Sequence, residues 1–289
     1  MTGSATASFG ERARAAIARR GHLCVGIDPH DPLLAAWGLS PHAAGVREFG
    51  LRVVDAAAGR AGFVKPQVSF FERHGSAGIA ALEDVLSAAR AAGLLTIADA
   101  KRGDIGSTMD AYAAAWLAPG APLEADALTV SPYLGVGALS GTFDVAHAHG
   151  KGAFVLAATS NPEATGLQRA RTADGATVSA GIVAEVSRRN AQAAAAGEWG
   201  SLGLVIGATV DWDEAGIAAF APAAPILAPG FGHQGARPDQ LAAVYGAMAH
   251  AVVASESRSI LSAGPAGIAE AIAAAAASYP TVAEGGVHV

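Results

Sequence analysis

The chain has a single cysteine, Cys24, among 289 residues. This excludes an intrachain disulfide and any thiolate metal site built on several cysteines, and a reducing cytoplasm is the expected location. Charge is also scarce: 15% of residues are charged, with a formal net charge of −6. No basic block accompanies that balance, so neither nucleic acid nor an anionic membrane surface is an expected partner. Long apolar runs are missing too. The alanine-rich stretches 191–196 and 271–277 are too short to span a bilayer and read better as high-propensity helix. The first twenty residues carry Arg12, Arg14, Arg19 and Arg20 without the apolar core of a secretory signal, and they are predicted to form a leading helix. None of the nine histidines falls in an H-E-x-x-H pattern. His147 and His149 are poorly spaced for a zinc pair, so no metal site is expected. No serine-centred nucleophile elbow is present.

The hydrophobic share is 52%, enough to bury a large core in one domain spanning residues 1–289. Short apolar runs recur at 23–27, 62–64, 94–98, 127–130, 153–157, 202–206 and 226–228, with an eighth ending near Arg258. Between most of them lie alanine-rich amphipathic segments with helical spacing, at 46–60, 77–92, 108–117, 177–197 and 240–250. That alternation is the β/α pattern. Eight units predict a closed (β/α)8 TIM barrel; the rival is an open doubly wound sheet. The barrel is preferred because polar or Gly/Pro punctuation follows nearly every run, as in Asp28-Pro29, Lys65-Pro66, Ser131-Pro132 and Pro229-Gly230, whereas an open sheet concentrates its site at one switch point. A polar stretch at 164–175 reads as a loop that can cover the site, and the tail 280–289 as frayed.

The stretch with most chemistry is Asp99-Ala100-Lys101-Arg102-Gly103-Asp104-Ile105, placed where the 94–98 strand runs out. Barrel enzymes keep their chemistry at strand C-termini. Residues two apart in a strand share a face, so Asp99 and Lys101 can enter one pocket, while Asp104 lies beyond the strand. An exposed loop ion pair of little energetic value is the competing reading. Lys65 ends the preceding strand, and a buried strand-end lysine needs a partner; Asp99 on the next strand supplies one. The loop Pro229-Gly230-Phe231-Gly232-His233-Gln234-Gly235 allows close backbone approach to an anion, and Arg258 can grip a phosphate through two parallel hydrogen bonds. A tight turn is the alternative for the glycines alone. Asp28 can accept from ligand hydroxyls and Ser160-Asn161 can read amide edges; both also make ordinary turn caps.

On these residues the chain resembles the orotidine 5'-phosphate decarboxylases, in the long alanine-rich bacterial form found in mycobacteria and their relatives. The Asp99-x-Lys101-x-x-Asp104-Ile105 signature with Lys65 upstream carries the likeness. It is supported by Ser131-Pro132-Tyr133-Leu134-Gly135, Thr159-Ser160-Asn161-Pro162, and the Pro229–Gly235 loop with Arg258. The resemblance implies conversion of orotidine 5'-phosphate to uridine 5'-phosphate (UMP) and carbon dioxide, the last step of de novo UMP synthesis, with no metal or organic cofactor. It implies that Lys101 protonates C6, Asp99 orients that cation, and Lys65 contacts ribose and braces Asp99. Asp28 and Asp104 would hold ribose, Ser160 the pyrimidine edge, and Gly232, Gln234 and Arg258 the phosphate, with Ile105 and Thr108 also touching substrate. It further implies a homodimer in which Asp104 and Ile105 reach into the partner's site. One departure is Ser257, where the family often has glycine before the phosphate arginine. Two other activities share parts of the pattern. Metal-dependent sugar-phosphate decarboxylases or aldolases carry the D-x-K-x-x-D string with an acidic residue in place of Lys65, and a lysine there opposes a divalent cation. A silent nucleotide binder needs the phosphate loop but not the Lys-Asp-Lys-Asp set.

Overall fold

The protein is represented by a computed structural model that describes residues 7–282. Residues 1–6 and 283–289 lie outside the described residues, and with them the first six residues of the expected leading segment and most of the expected 280–289 tail. Eight parallel strands close into a barrel in sequence order. They are β1 (Leu23–Ile27), β2 (Phe63–Pro66), β3 (Leu95–Arg102), β4 (Ala127–Val130), β5 (Gly152–Ala158), β6 (Leu202–Ile206), β7 (Ile226–Pro229) and β8 (Val252–Glu256). Closure runs through β1 and β8, with Leu23 opposite Ala254 and Val25 opposite Glu256. The open-sheet alternative is therefore set aside. β1 and β6 read as unbroken apolar runs because they are buried on both faces, by the barrel interior and by the helix ring.

Small residues let the ring close tightly. The helices Ala43–Ala57 and Gly75–Ala91 pack face to face, and a Cβ at Gly50 would lie 2.5 Å from Val85 Cγ2. The helix Phe9–Arg20 closes the N-terminal end of the barrel. Ser8 Oγ accepts from the Glu11 N–H at its start, and Arg19 and Arg20 complement the dipole at its end. Its apolar face, Phe9, Ala13, Ala16 and Ile17, joins Phe63, Phe154 and Trp199 in a core cluster distinct from the outer one. Phe9 meets Phe154 edge-on at 5.8 Å. Around this plug, Arg12 bonds Asp126 at 2.8 Å and the Gly150 carbonyl at 2.9 Å. With the lower end filled, a ligand site is left to the C-terminal mouth. Among the described residues no helix is long and apolar enough to cross a membrane.

Four expectations need correction. β3 does not end at Ala98 but continues to Arg102, so Asp99 and Lys101 belong to the strand. Lys65 and Pro66 likewise lie inside β2, Pro66 as its last residue, where a missing N–H costs little. The 240–250 helix is only Leu241–Tyr245, followed by a 3-10 turn over Gly246–Ala251, because Gly246 adopts φ 51 and breaks the α-helical path. The 164–175 stretch is partly ordered: a short helix Thr165–Gln168 and an Arg171–Thr177 bridge structure it, and Arg169 pairs with Glu214.

Candidate active site

A cavity of about 270 Å3 opens at the C-terminal mouth, lined by residues from all eight strands or the loops after them. Asp99 is its centre. Oδ1 accepts from Lys101 Nζ at 2.6 Å and from Thr129 Oγ1 at 3.1 Å. Oδ2 accepts from Lys65 Nζ at 2.8 Å and Gln67 Nε2 at 3.0 Å. Four donors thus saturate a carboxylate that is 8% exposed. Burial pushes the Asp99 carboxyl up, but the charges of Lys65 and Lys101 and their hydrogen bonds outweigh it, and the group is held well below the usual carboxylate range. Burial acts on Lys65 in the opposite sense, and Asp99 and Asp28 override it, so its ammonium is held above the usual lysine value. Both groups stay charged across the physiological range.

Lys101 is distinctive in its backbone. Its φ is 49, the only positive φ outside glycine among the described residues, and the β3–β4 register shifts between Ala98 and Arg102. A left-handed non-glycine residue costs about 1–3 kcal/mol and needs surroundings that hold it. Thr129 does part of the holding: its Oγ1 accepts from the Lys101 N–H at 2.9 Å while donating to Asp99. Strand alternation alone would place Asp99 and Lys101 on one face; the structure reaches that outcome through an irregular strand end. The Lys101 side chain remains 46% exposed, open to a ligand.

Asp28 lines the cavity with a buried Oδ1 that has no hydrogen-bond partner. Such an acceptor is ready for a ligand hydroxyl. After the adjoining strands β7 and β8, Gln234 and Arg258 also line the cavity, and Arg258 Nη1 lies 2.7 Å from His233 Nε2. Arginine can only donate, so His233 accepts as the Nδ1–H tautomer. Ser257, in place of the frequent glycine, has φ −133 and so needs no left-handed conformation. Its room comes from the neighbouring strand β1: a Cβ on Gly26 would sit 2.7 Å from Ser257 Cβ.

The structure does not bring every anticipated residue to the cavity. Gly232 does not line it, and its N–H donates to the Ala236 carbonyl at 3.0 Å. Its φ of 70 and the crowding that a Cβ would meet give the glycine a conformational role. Ser160 lies in an adjoining cleft with Gln168 and Thr209, while its neighbour Thr159 borders both spaces. Asp104, Ile105 and Thr108 do not line this chain's own cavity. Asp104 Oδ1 accepts from the Ile105 N–H at 2.8 Å. Ile105 is 63% exposed, and Tyr133 and Leu134, on the loop after the next strand, are 77% and 52% exposed. Sequence reasoning missed Gln67, Thr129 and His30, all of which line the cavity, and gave no role to His233 within the loop after β7. For each a positional signal existed: Gln67 and Thr129 follow or sit at a strand end beside the Lys-Asp cluster, His30 lies two residues beyond Asp28, and His233 lies inside the glycine loop. Among the described residues no group of three or more His, Cys, Asp or Glu side chains is placed to hold a metal ion.

The family described as "Orotidine 5'-phosphate decarboxylase / HUMPS family" matches residues 21–274. An orotidine 5'-phosphate decarboxylase of Salinispora arenicola is 53% identical over 258 residues, 89% of this chain and 91% of that protein. That of Corynebacterium efficiens is 48% identical over 277 residues, covering 95% and 98%. Among solved structures, a Streptomyces avermitilis protein of the same description superposes with a TM-score of 0.90 at 46% identity, over 96% of each chain. The Leishmania donovani OMP decarboxylase superposes with a TM-score of 0.72 at 29% identity, over 93% and 98%.

Proposed function

The chain belongs to the orotidine 5'-phosphate decarboxylase family, and from that premise we propose how its own residues convert orotidine 5'-phosphate to UMP and carbon dioxide. The observation that carries the proposal is the clamped charge array: Asp99 held by four donors, two of them ammoniums, beneath an accessible Lys101. Breaking the bond between C6 and the carboxylate leaves an electron pair in the ring plane, where the π system cannot delocalise it. A fixed positive charge must stabilise that pair, and a proton must quench it. Lys101 Nζ supplies both: its ammonium faces the developing charge, and one N–H proton passes to C6 as carbon dioxide departs. The resulting amine regains a proton from water, to which the half-exposed side chain has access.

Asp99 fixes the position of Lys101 and, through Lys65, a second positive charge. It lies beside the substrate carboxylate. Asp28, with its unpartnered oxygen, accepts from ribose, joined by Lys65. Gln234 and Arg258 take the phosphate, whose binding energy helps hold the site in its active form. Ser160 reads the pyrimidine edge once the loop after β5 turns toward the cavity. No metal or organic cofactor enters this scheme. Asp104 and Ile105 act across a homodimer interface, with Asp104 completing the partner's ribose site and Thr108 touching substrate; the exposure of Ile105, Tyr133 and Leu134 supports this placement. The protein is read as cytoplasmic, in keeping with its one buried thiol.

Carbon dioxide release from orotidine 5'-phosphate by chelator-treated protein, with Lys101→Ala alongside, tests the scheme. Release by the wild type and none by the variant is the expected result. Equal release by both would remove Lys101 from its role.

A further inference from the structure

We propose that Glu256 and Tyr279 are positioning residues for phosphate recognition, holding the loop after β7 and the Arg258 turn in one fixed arrangement. The inference rests on the reading that this loop and Arg258 take the substrate phosphate. Glu256 ends β8, and its strand neighbour Ser255 faces the cavity, so Glu256 points outward into the layer between barrel and helices. It is 5% exposed there. Oε1 accepts from Tyr279 Oη at 2.6 Å and Oε2 from Ser259 Oγ at 2.7 Å. Among the described residues no cationic side chain forms an ion pair with it. Keeping a carboxylate out of water on two neutral hydroxyls is unfavourable as packing, since an apolar side chain would fill the space without the desolvation cost.

What the carboxylate holds is specific. Ser259 adjoins Arg258 in the turn Arg258–Leu261, so one bond steadies the arginine side of the grip. The other side is the loop: a Cβ on Gly232 would lie 2.5 Å from Glu256 Oε2 and 2.6 Å from Ser259 Oγ, so this glycine rests directly on the pair. Tyr279 follows the helix Gly264–Ser278 and closes the set. Its hydroxyl reaches Glu256, and its ring meets Phe231, which lines the cavity, edge-on at 5.5 Å. Burial and the carboxylate both push the Tyr279 hydroxyl far above its usual value, so it remains a donor at all working pH. One buried carboxylate thereby ties three separate parts of the chain to the two halves of the phosphate site. Loosening it changes how well Arg258 and Gln234 converge without altering any group at the Lys-Asp-Lys cluster.

Inhibition constants for UMP and for uridine, which lacks the phosphate, give the test. Tyr279→Phe, which keeps the ring and removes the hydroxyl, should weaken UMP about tenfold, the value of one hydrogen bond to a charged group, and leave uridine unchanged. Ser259→Ala, at a part-buried position where folding is less at risk, should shift the same ratio in the same direction. Glu256→Gln keeps the shape and an acceptor oxygen and should recover part of the loss seen in Glu256→Ala. A lowered melting temperature with an unchanged UMP-to-uridine ratio in Tyr279→Phe and Ser259→Ala would make the cluster merely structural and overturn the inference. Arg258→Ala separates the two claims. If it leaves UMP affinity unchanged, the phosphate reading itself fails; if it weakens UMP while Tyr279→Phe and Ser259→Ala do not, only the positioning role fails.

Discussion

Lys101 is asked to do two things, to stand as a fixed charge and to give up a proton, and its removal should cost both. A preorganised electrostatic partner is worth about 10²–10³ in kcat and a general acid about 10²–10⁴. Lys101→Ala is therefore expected to lower kcat by at least about 10⁴-fold while UMP binding changes little, as steady-state rates and calorimetry would show. The backbone makes a separate prediction. Because residue 101 is left-handed, Lys101→Gly should be more stable than Lys101→Ala by about 1 kcal/mol in urea unfolding, glycine bearing no Cβ penalty there. Equal stability would show that the φ of Lys101 stores no strain. Cys24 offers a third test. Burial in the barrel interior is the largest influence on its thiol and pushes it up to about 12. Unfolded cysteine ionises near pH 8.5, so between these values the unfolded state loses a proton that the folded state keeps, and stability falls as pH rises. At pH 10 this amounts to about 2 kcal/mol, which Cys24→Ser should not show in unfolding curves taken at pH 7 and 10. The signs for Asp99 and Lys65 run outward from neutrality. The lowered Asp99 carboxyl contributes stability fully above about pH 4, lost as pH falls through its folded value. The raised Lys65 contributes below about pH 10, lost as pH rises through its folded value.

At the scale of elements, the helix Phe9–Arg20 and strand β3 show how the chain divides stability from chemistry. The helix plugs the end of the barrel away from the cavity, and Phe9 is fully buried against Phe154. Phe9→Ala should cost about 3–5 kcal/mol in unfolding free energy and leave KM for substrate unchanged. A change in KM without loss of stability would mean that the plug communicates with the mouth. Strand β3 behaves differently, because its last residues trade regularity for function. The alternation of apolar runs and alanine-rich segments made eight β/α units legible. Three strand ranges, those of β1, β4 and β6, match their apolar runs residue for residue. The end of β3 was not legible: Asp99, Lys101 and Arg102 are polar, and polarity reads as a loop. What makes them strand is the pairing of Arg102 with Val130 and the Thr129 hydroxyl beneath Lys101, neither of which is a local property.

For the whole molecule the exposed edge at Ile105, Tyr133 and Leu134 matters most. If sites are shared across a homodimer, two inactive variants should complement. Mixing Lys101→Ala with Asp104→Asn under conditions that exchange subunits places both defects in one site of a mixed dimer and leaves the other intact. About a quarter of wild-type activity is the expected maximum, from half the dimers being mixed and half their sites whole. No recovery despite proven subunit exchange would confine Asp104 to its own chain.

The sequence by itself determined the closed eight-unit barrel, the lysines and carboxylates at the strand ends, and the glycine loop facing Arg258. Each is a matter of local pattern: apolar period, strand-end position, or residue chemistry at short spacing. Only the tertiary structure decided that Gln67 and Thr129 complete the hold on Asp99, that Gly26 makes room for Ser257, and that Ser160 lies in a neighbouring cleft. It likewise decided that Gly232 rests on a buried Glu256. These are contacts between strands or loops remote in the chain, and their geometry is set by closure of the barrel, which no local pattern records.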